Sequence, residues 1–331
     1  MPDLPFGSIT GKLNARFALG LLLPALTFSL LSVVALAAGH GFIASLHWWD
    51  GQPASAQAFL VTVFIAAVML ASWVAAGQTP WLLRVASGYW PAALKRNSLY
   101  SLGRRRHQRQ YFRLAESALS DPAAIERLYL YYPNRYSDIL PTRLGNVLAA
   151  VEAYARTRYG MDLVLVWPRL FAVLPDRHTA AIAAARAELE TQLATATLAA
   201  VSGVGVAIPL ALIGSPVALP VGWLWGCLAI GYAAYQAAVS SAVSYGQEMR
   251  TAFDLHRKDL LDTLGLAGNP EERDTWRRLQ EFWFQGIPLD AARPAPLQSQ
   301  EDAPDTGPSV PLGAIAVAAV GALTIILVLL R

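Results

Sequence analysis

The amino-acid sequence predicts an all-α membrane protein: two transmembrane hairpins plus a C-terminal single span, with a mainly helical cytoplasmic insert. Three observations predict it. Hydrophobic residues make up 55% of the 331-residue chain and charged ones only 15%, where an average soluble domain has about a quarter charged. The apolar residues gather in five runs, each near the roughly 20 residues that a helix needs to cross about 30 Å of hydrocarbon. Lys and Arg divide very unevenly among the segments between those runs, which is the pattern that orients spans in a membrane.

The first run covers 17–38 and carries no charge. Lys12 and Arg16 precede it, and Ala35-Leu36-Ala37 resembles a cleavage site. Its core nevertheless exceeds the roughly 7–15 apolar residues of a signal peptide, so it reads as an uncleaved anchor. The second run is 58–77, and the two form a hairpin over 17–77 behind a short N-terminal segment, 1–16. The third run, 191–214, and the fourth, 218–245, are joined by the uncharged turn Ser215-Pro216. Buried core helices are the competing reading for this pair, but no soluble segment here is large enough to cover them. They read as a second hairpin over 191–245. The fifth run is 311–330, a single span within 311–331.

The segment 39–57 has neither Lys nor Arg, whereas 78–190 holds 16 basic residues against 9 acidic. That places 78–190 in the cytoplasm of a bacterial cell, at the inner membrane. The N-terminus is then inside and the C-terminus outside. Trp48 and Trp49 in the outer segment suit a membrane interface, as do Trp81, Tyr89 and Trp90 just after the second span. Lys95, Arg96, Arg104, Arg105, Arg106, Arg109 and Arg113 form a basic collar. Anionic lipid is the partner expected for it, at about 1 kcal/mol per residue near the leaflet. Nucleic acid is the less favoured partner, because positive residues must lie there anyway to fix orientation.

Further along the insert, Thr142 is placed to cap a helix whose apolar face includes Val147, Leu148, Val151 and Tyr154. Glu152 and Arg156 are spaced to pair on its surface. Gly160 is placed to end it. The branched run 162–168 reads as one strand or a buried extended segment. Pro175-Asp176 starts an alanine-rich helix that could run into the third span. After the fourth span, 247–266 and 271–284 read as two helices broken at Gly268-Asn269-Pro270, within a cytoplasmic segment 246–286. The proline-rich stretch 287–310 is a flexible linker.

Chemistry is thin. There is no Gly-rich phosphate loop, no His-Glu-x-x-His and no Gly-x-Ser-x-Gly. His40 and His47 could meet over two helical turns, but beyond Asp50 no further ligand is evident, so no metal is expected. No cofactor and no catalytic residue are expected either. The spans hold no charged residue, which argues against a proton-coupled transporter. They do hold small residues at four-residue spacing: Gly222 and Gly226, then Ala233, Ala237 and Ser241, and Ala314, Ala318 and Ala322. Such residues let helices approach closely in lipid. Packing within one chain is favoured over contact between chains. Gln236, Ser240, Ser241 and Ser244 would line a weakly polar pore or bond to neighbouring backbone. Gly203, Gly205 and Pro209 point to a flexible or kinked third span. In the insert, Arg143, Asn146, Glu152, Tyr159, Asp162, Trp167 and Arg169 form the densest polar-aromatic set. They build either a site or, as favoured here, a buried polar network that holds a small domain together.

The motifs Pro141-Thr142-Arg143-Leu144-Gly145-Asn146, Arg158-Tyr159-Gly160-Met161-Asp162, Trp167-Pro168-Arg169-Leu170 and Phe253-Asp254-Leu255-His256-Arg257-Lys258-Asp259-Leu260 resemble a group of uncharacterised multipass membrane proteins from high-GC bacteria. The resemblance spans about 130–260. It implies a membrane location and carries over no functional residue. The order of hairpin, insert and second hairpin is also similar to that of bestrophin-type anion channels, at the level of topology alone. Together these readings favour a non-enzymatic, homo-oligomeric membrane scaffold or pore, with the scaffold preferred. The alternatives are a membrane-anchored sensor or adaptor resting on 78–190, and a lipid-acting enzyme using Glu152 or Asp162.

Overall fold

The computed structural model describes residues 10–90, 98–266 and 271–289. Lys95, Arg96, the Gly268-Asn269-Pro270 break, most of the linker and the fifth span lie outside them. Every regular element among the described residues is a helix: α1 (Thr10–His40), α2 (Phe42–Asp50), α3 (Ala54–Gly77), α4 (Thr79–Ala86), α5 (Ser98–Ser117), α6 (Pro122–Tyr131), α7 (Arg143–Tyr159), α8 (Leu163–Val173), α9 (Asp176–Leu212), α10 (Ala218–Thr263) and α11 (Glu272–Gln285), with a 3-10 turn at Tyr136–Asp138. Four of them, in α1, α3, α9 and α10, are long and apolar enough to cross a membrane. The chain divides into two compact units, and the helices α9 and α10 each contribute residues to both.

One unit comprises Gly11–Leu82 and Ala187–Ala238 among its described parts. Its helices leave large apolar side chains uncovered: Leu23 and Ile43 on the N-terminal side, Phe59, Met69, Leu70 and Trp73 on α3, Trp225 and Tyr232 on α10. Water does not tolerate so much contiguous apolar surface, whereas lipid does. Contacts inside this unit combine an apolar cluster of Leu36, Val206 and Leu210 with close approaches at small residues. Ser32 and Ser202 share a hydrogen bond of 3.0 Å between their hydroxyls, and the Trp223 indole donates to the Ser202 carbonyl at 3.0 Å. A Cβ at Gly203 would lie 2.9 Å from Cys227 Cβ, and one at Gly231 would lie 3.4 Å from the Ala196 carbonyl. Contacts between α9 and α10 therefore run in opposite order along the two helices. The helix α9 passes through Gly203, Gly205 and Pro209 without a break. Gly203 acts as a close-packing position. His40 ends α1 and His47 lies in α2, separated by Gly41 at φ 105°. The two histidines thus do not share the single helix that would have brought them together.

The other unit comprises, among its described parts, 83–186 and the described residues of 239–289. It joins the insert to the segment after the fourth run, which the sequence presented as separate regions. Helix α7 is its centre. The eight residues from Leu144 through Val151 are all buried, which marks a helix covered on every side. The Thr142 hydroxyl accepts the Gly145 amide at 3.1 Å. At the other end Gly160, with φ 73°, closes the helix in the left-handed conformation, as glycine does without steric penalty. Leu144, Val151, Met161, Val166, Trp167, Leu170, Phe253 and Trp276 make the core. The Trp167 and Phe253 rings lie 5.9 Å apart.

The run 162–168 is helix, not strand. The Asp162 carboxylate accepts the amides of Val164 at 2.8 Å and Leu165 at 3.4 Å, capping α8. That cap is worth about 1 kcal/mol. Together with burial of Leu163, Val166, Trp167 and Leu170, it outweighs the β-preference of two valines, which is small and context-dependent.

Candidate functional site

The motif 141–146 is a structural lock. Three segments converge on Pro141 and Thr142. A Cβ at Gly88 would lie 2.8 Å from the Pro141 ring, and one at Gly103 of α5 would lie 2.8 Å from the Pro141 carbonyl. A Cβ at Gly145 would overlap the Ser87 carbonyl oxygen. Asn146, fully buried, ties the entry to α7 with its amide. Its Oδ1 accepts the Leu140 amide at 2.7 Å, and its Nδ2 donates to the carbonyls of Leu140 at 3.0 Å and Thr142 at 2.9 Å.

The other members of the polar-aromatic set are each engaged in a different contact. The Arg143 guanidinium lies 4.8 Å from the Tyr131 ring centroid. Glu152 accepts from Arg156 at 2.7 Å, and burial holds its carboxyl above the ordinary range, with Arg156 pulling the other way. The same burial, together with the Glu152 charge, pushes the Tyr89 phenol up to about 12. Asp162 caps α8, and its amide donates to Gln280 Oε1 at 3.2 Å. Trp167 is in the core. Arg169 stacks 4.0 Å over the Trp283 ring and donates to the Leu165 carbonyl at 2.6 Å. These geometries orient helices.

A cluster that sequence reading missed is centred on Asp254. Its carboxylate accepts the Tyr154 hydroxyl at 2.7 and 2.8 Å and the Tyr159 hydroxyl at 2.5 Å. Burial first, and then the Asp254 carboxylate, raise both phenols above their usual range. Arg257 covers the Tyr159 ring at 4.6 Å and donates to Glu272 at 2.8 Å. Arg250, only 4% exposed, lies 4.1 Å over the Tyr129 ring and donates to the Tyr129 carbonyl at 2.9 Å. The cluster clasps α6, α7, α10 and α11. The sequence singled out Tyr159 in the polar-aromatic set and Asp254 and Arg257 in the motif 253–260, but nothing in it joined them.

The basic collar separates into two parts. Arg104 turns inward, its Nε donating to the Ile139 carbonyl at 3.1 Å and its Nη2 to the Ser137 carbonyl at 2.8 Å. Arg105, Arg106, Arg109 and Arg113 are exposed. The inward face of α5 also carries His107, whose Nδ1 is 3.2 Å from the Tyr132 hydroxyl. Burial, followed by the charges of Arg106 and Arg143, lowers the pKa of that imidazole.

On α10 the small-residue set also separates. Gly222 and Gly226 are exposed, and a Cβ at either would meet no described residue within 4 Å. Ala229 and Ala233 are exposed as well, and helical spacing puts them on the same face. Gln236 is half-buried, and Ser240 and Ser244 are exposed, the Ser244 hydroxyl donating to the Ser240 carbonyl at 3.4 Å. Ser241 is buried, at 5% exposure. Among the described residues no group of three His, Cys, Asp or Glu is placed to hold a metal ion. No family model, curated protein or solved structure matches the chain. The fold and its surface define the class: an all-helical protein whose four long apolar helices mark it as a membrane protein.

Proposed function

We propose that this protein is a non-enzymatic membrane scaffold that assembles with copies of itself through the small-residue face of α10. The observation that carries this reading is the open face at Gly222, Gly226, Ala229 and Ala233, where no described residue lies within 4 Å of a Cβ at either glycine. In lipid, helices associate by close backbone packing at such faces, not by a hydrophobic driving force. Among the described residues, α9 and α10 use other positions, Gly203 on Cys227 and Gly231 on Ala196, and leave the Gly222 face open. In this reading α1 with α3, and α9 with α10, form hairpins across a bacterial inner membrane, with the fifth run as a separate span. The N-terminus and the unit around α7 are cytoplasmic, and the C-terminus is outside. Several polar residues of that unit support a scaffold over an enzyme: Asn146, Asp162, Arg250 and Asp254 are engaged in capping or joining helices.

The test is the mass of the purified protein in lipid nanodiscs, for the native chain and for Gly222→Leu with Gly226→Leu. Both leucines enter space that no described residue occupies, so the fold of the single chain is expected to be kept. A native oligomer that the double variant converts to single subunits is the expected result. A native protein that is a single subunit overturns the proposal. A closed ring that conducts ions in liposomes replaces the scaffold with a pore.

A further inference from the structure

We propose that the outer face of α5 is a docking surface for anionic phospholipid. In it, Arg105, Arg106, Arg109 and Arg113 meet headgroup phosphates, and Leu102 and Phe112 insert beneath them. The proposal rests on the reading of the chain as a membrane protein and assigns a lipid class and a set of residues to it. At 3.6 residues per turn these six side chains fall within an arc of about 120°. All six are exposed, Leu102 at 66% and Phe112 at 56%. None of the four arginines is ion-paired with another described residue; the exposed Glu116 falls within the same arc, and the Phe112 ring, though 56% exposed, rests one side 4.9 Å from the Tyr136 ring.

The rest of the helix is committed elsewhere. Gly103 backs onto Pro141, Arg104 holds two carbonyls, His107 meets Tyr132, and the Tyr111 ring packs edge-on against Tyr132 at 5.9 Å. The helix therefore cannot roll to hide Leu102 and Phe112 without breaking those contacts. Two features then need one partner: a strip of four guanidinium groups and a pair of large apolar side chains set among them. A membrane interface with anionic headgroups satisfies both, because phosphate faces the charges while the acyl region takes up the leucine and the ring. A nucleic-acid backbone satisfies the charges alone and leaves Leu102 in water. Each arginine is expected to strengthen anionic-lipid contact about fivefold at low salt.

The test uses the full chain in nanodiscs, with the single cysteine removed as Cys227→Ser and a small fluorophore placed at Leu102→Cys or Phe112→Cys in separate proteins. A third protein, labelled at Ile230→Cys, reports insertion of α10. Quenching by brominated lipid is read in phosphatidylcholine discs with and without phosphatidylglycerol. The expected result is quenching at 230 in both discs. At 102 and 112 it is expected only with phosphatidylglycerol, and it is reversed by high salt and by Arg105→Gln with Arg109→Gln and Arg113→Gln. If 230 is quenched while 102 and 112 stay unquenched in both discs, the docking surface is wrong and the membrane reading stands. If 230 is unquenched, the membrane reading itself falls and takes this surface with it. A response at 102 and 112 to added polyribonucleotide but not to phosphatidylglycerol overturns the proposal in favour of nucleic acid.

Discussion

Helices α3 and α7 are both rich in Ala, Val and Leu, and they treat those residues in opposite ways. In α7 the eight residues from Leu144 to Val151 are all buried. In α3, across 24 residues, only Val68 and Ser72 are. The difference does not lie in hydrophobic content, since α3 is the more apolar of the two. It lies in what surrounds each helix. Helix α7 carries Glu152, Arg156 and Arg158 at its far end and needs neighbours to remove its apolar faces from water. Helix α3 carries no charge at all, and its exposed Phe59, Met69 and Trp73 are stable where the surrounding medium is itself apolar. The comparison separates two kinds of apolar side chain, those that hold this protein together and those that place it.

The comparison is tested first by removing one large ring from each kind. Trp167 is 1% exposed, and Trp73 is 75% exposed. Trp167→Ala is expected to destabilise the unit around α7 by about 4 kcal/mol, through lost burial and the cavity left behind. Hydrogen exchange of the α7 amides would then accelerate by roughly three orders of magnitude. Trp73→Ala is expected to leave those amides unchanged. Equal protection in the two variants would show that α7 does not depend on its core.

Glycines sharpen the same contrast at a smaller scale. Gly145→Ala pushes a methyl into the Ser87 carbonyl, a backbone group that cannot rotate away, and is expected to cost about 3 kcal/mol. Gly222→Ala adds the same methyl to open space. Its expected effect on the monomer is within about 0.5 kcal/mol. Thermal melting in mild detergent distinguishes the two. A large loss from Gly222→Ala would mean that its face is already packed within the chain.

What could be read in the sequence divides along the same line. The apolar runs were legible because lipid imposes length and absence of charge on each run independently, with no partner required. Thr142 as a cap, Gly160 as a stop and the Glu152–Arg156 pair were legible because each interaction closes within four residues. Long-range contacts were not. The Tyr154 to Asp254 bond joins residues 100 positions apart, and no local pattern announces it. The run 162–168 was misread because branched residues favour a strand locally, while the Asp162 cap and burial against Phe253 decide otherwise. The collar was recognised as basic, but its division into an inward Arg104 and an outward face with Leu102 and Phe112 depends on where Pro141 and Tyr132 lie. Ser240 and Ser241 differ by one position and so by most of a helix face, which spacing alone cannot assign without knowing which side is covered.

The smallest expected effects are electrostatic, and they fall on the buried side of the comparison. His107 has a folded pKa below its ordinary 6.5. Its unfolded form therefore takes up a proton more readily than its folded form. The stability it contributes is present above pH 6.5 and is lost as the pH falls through the folded value. Glu152 runs the other way. Its folded pKa lies above the ordinary 4.5, so its contribution is full below pH 4.5 and is lost as the pH rises through the folded value. The two slopes have opposite signs. Relative to the native chain, His107→Gln is expected to make the unit less sensitive to acid, and Glu152→Gln is expected to make stability climb more steeply with pH. Melting curves of the three proteins, taken from mildly acidic to neutral pH, read the difference directly. If both variants shift the slope in the same direction, burial is not what perturbs these groups, and the apolar surroundings assigned to α7 would have to be wetter than its buried run implies.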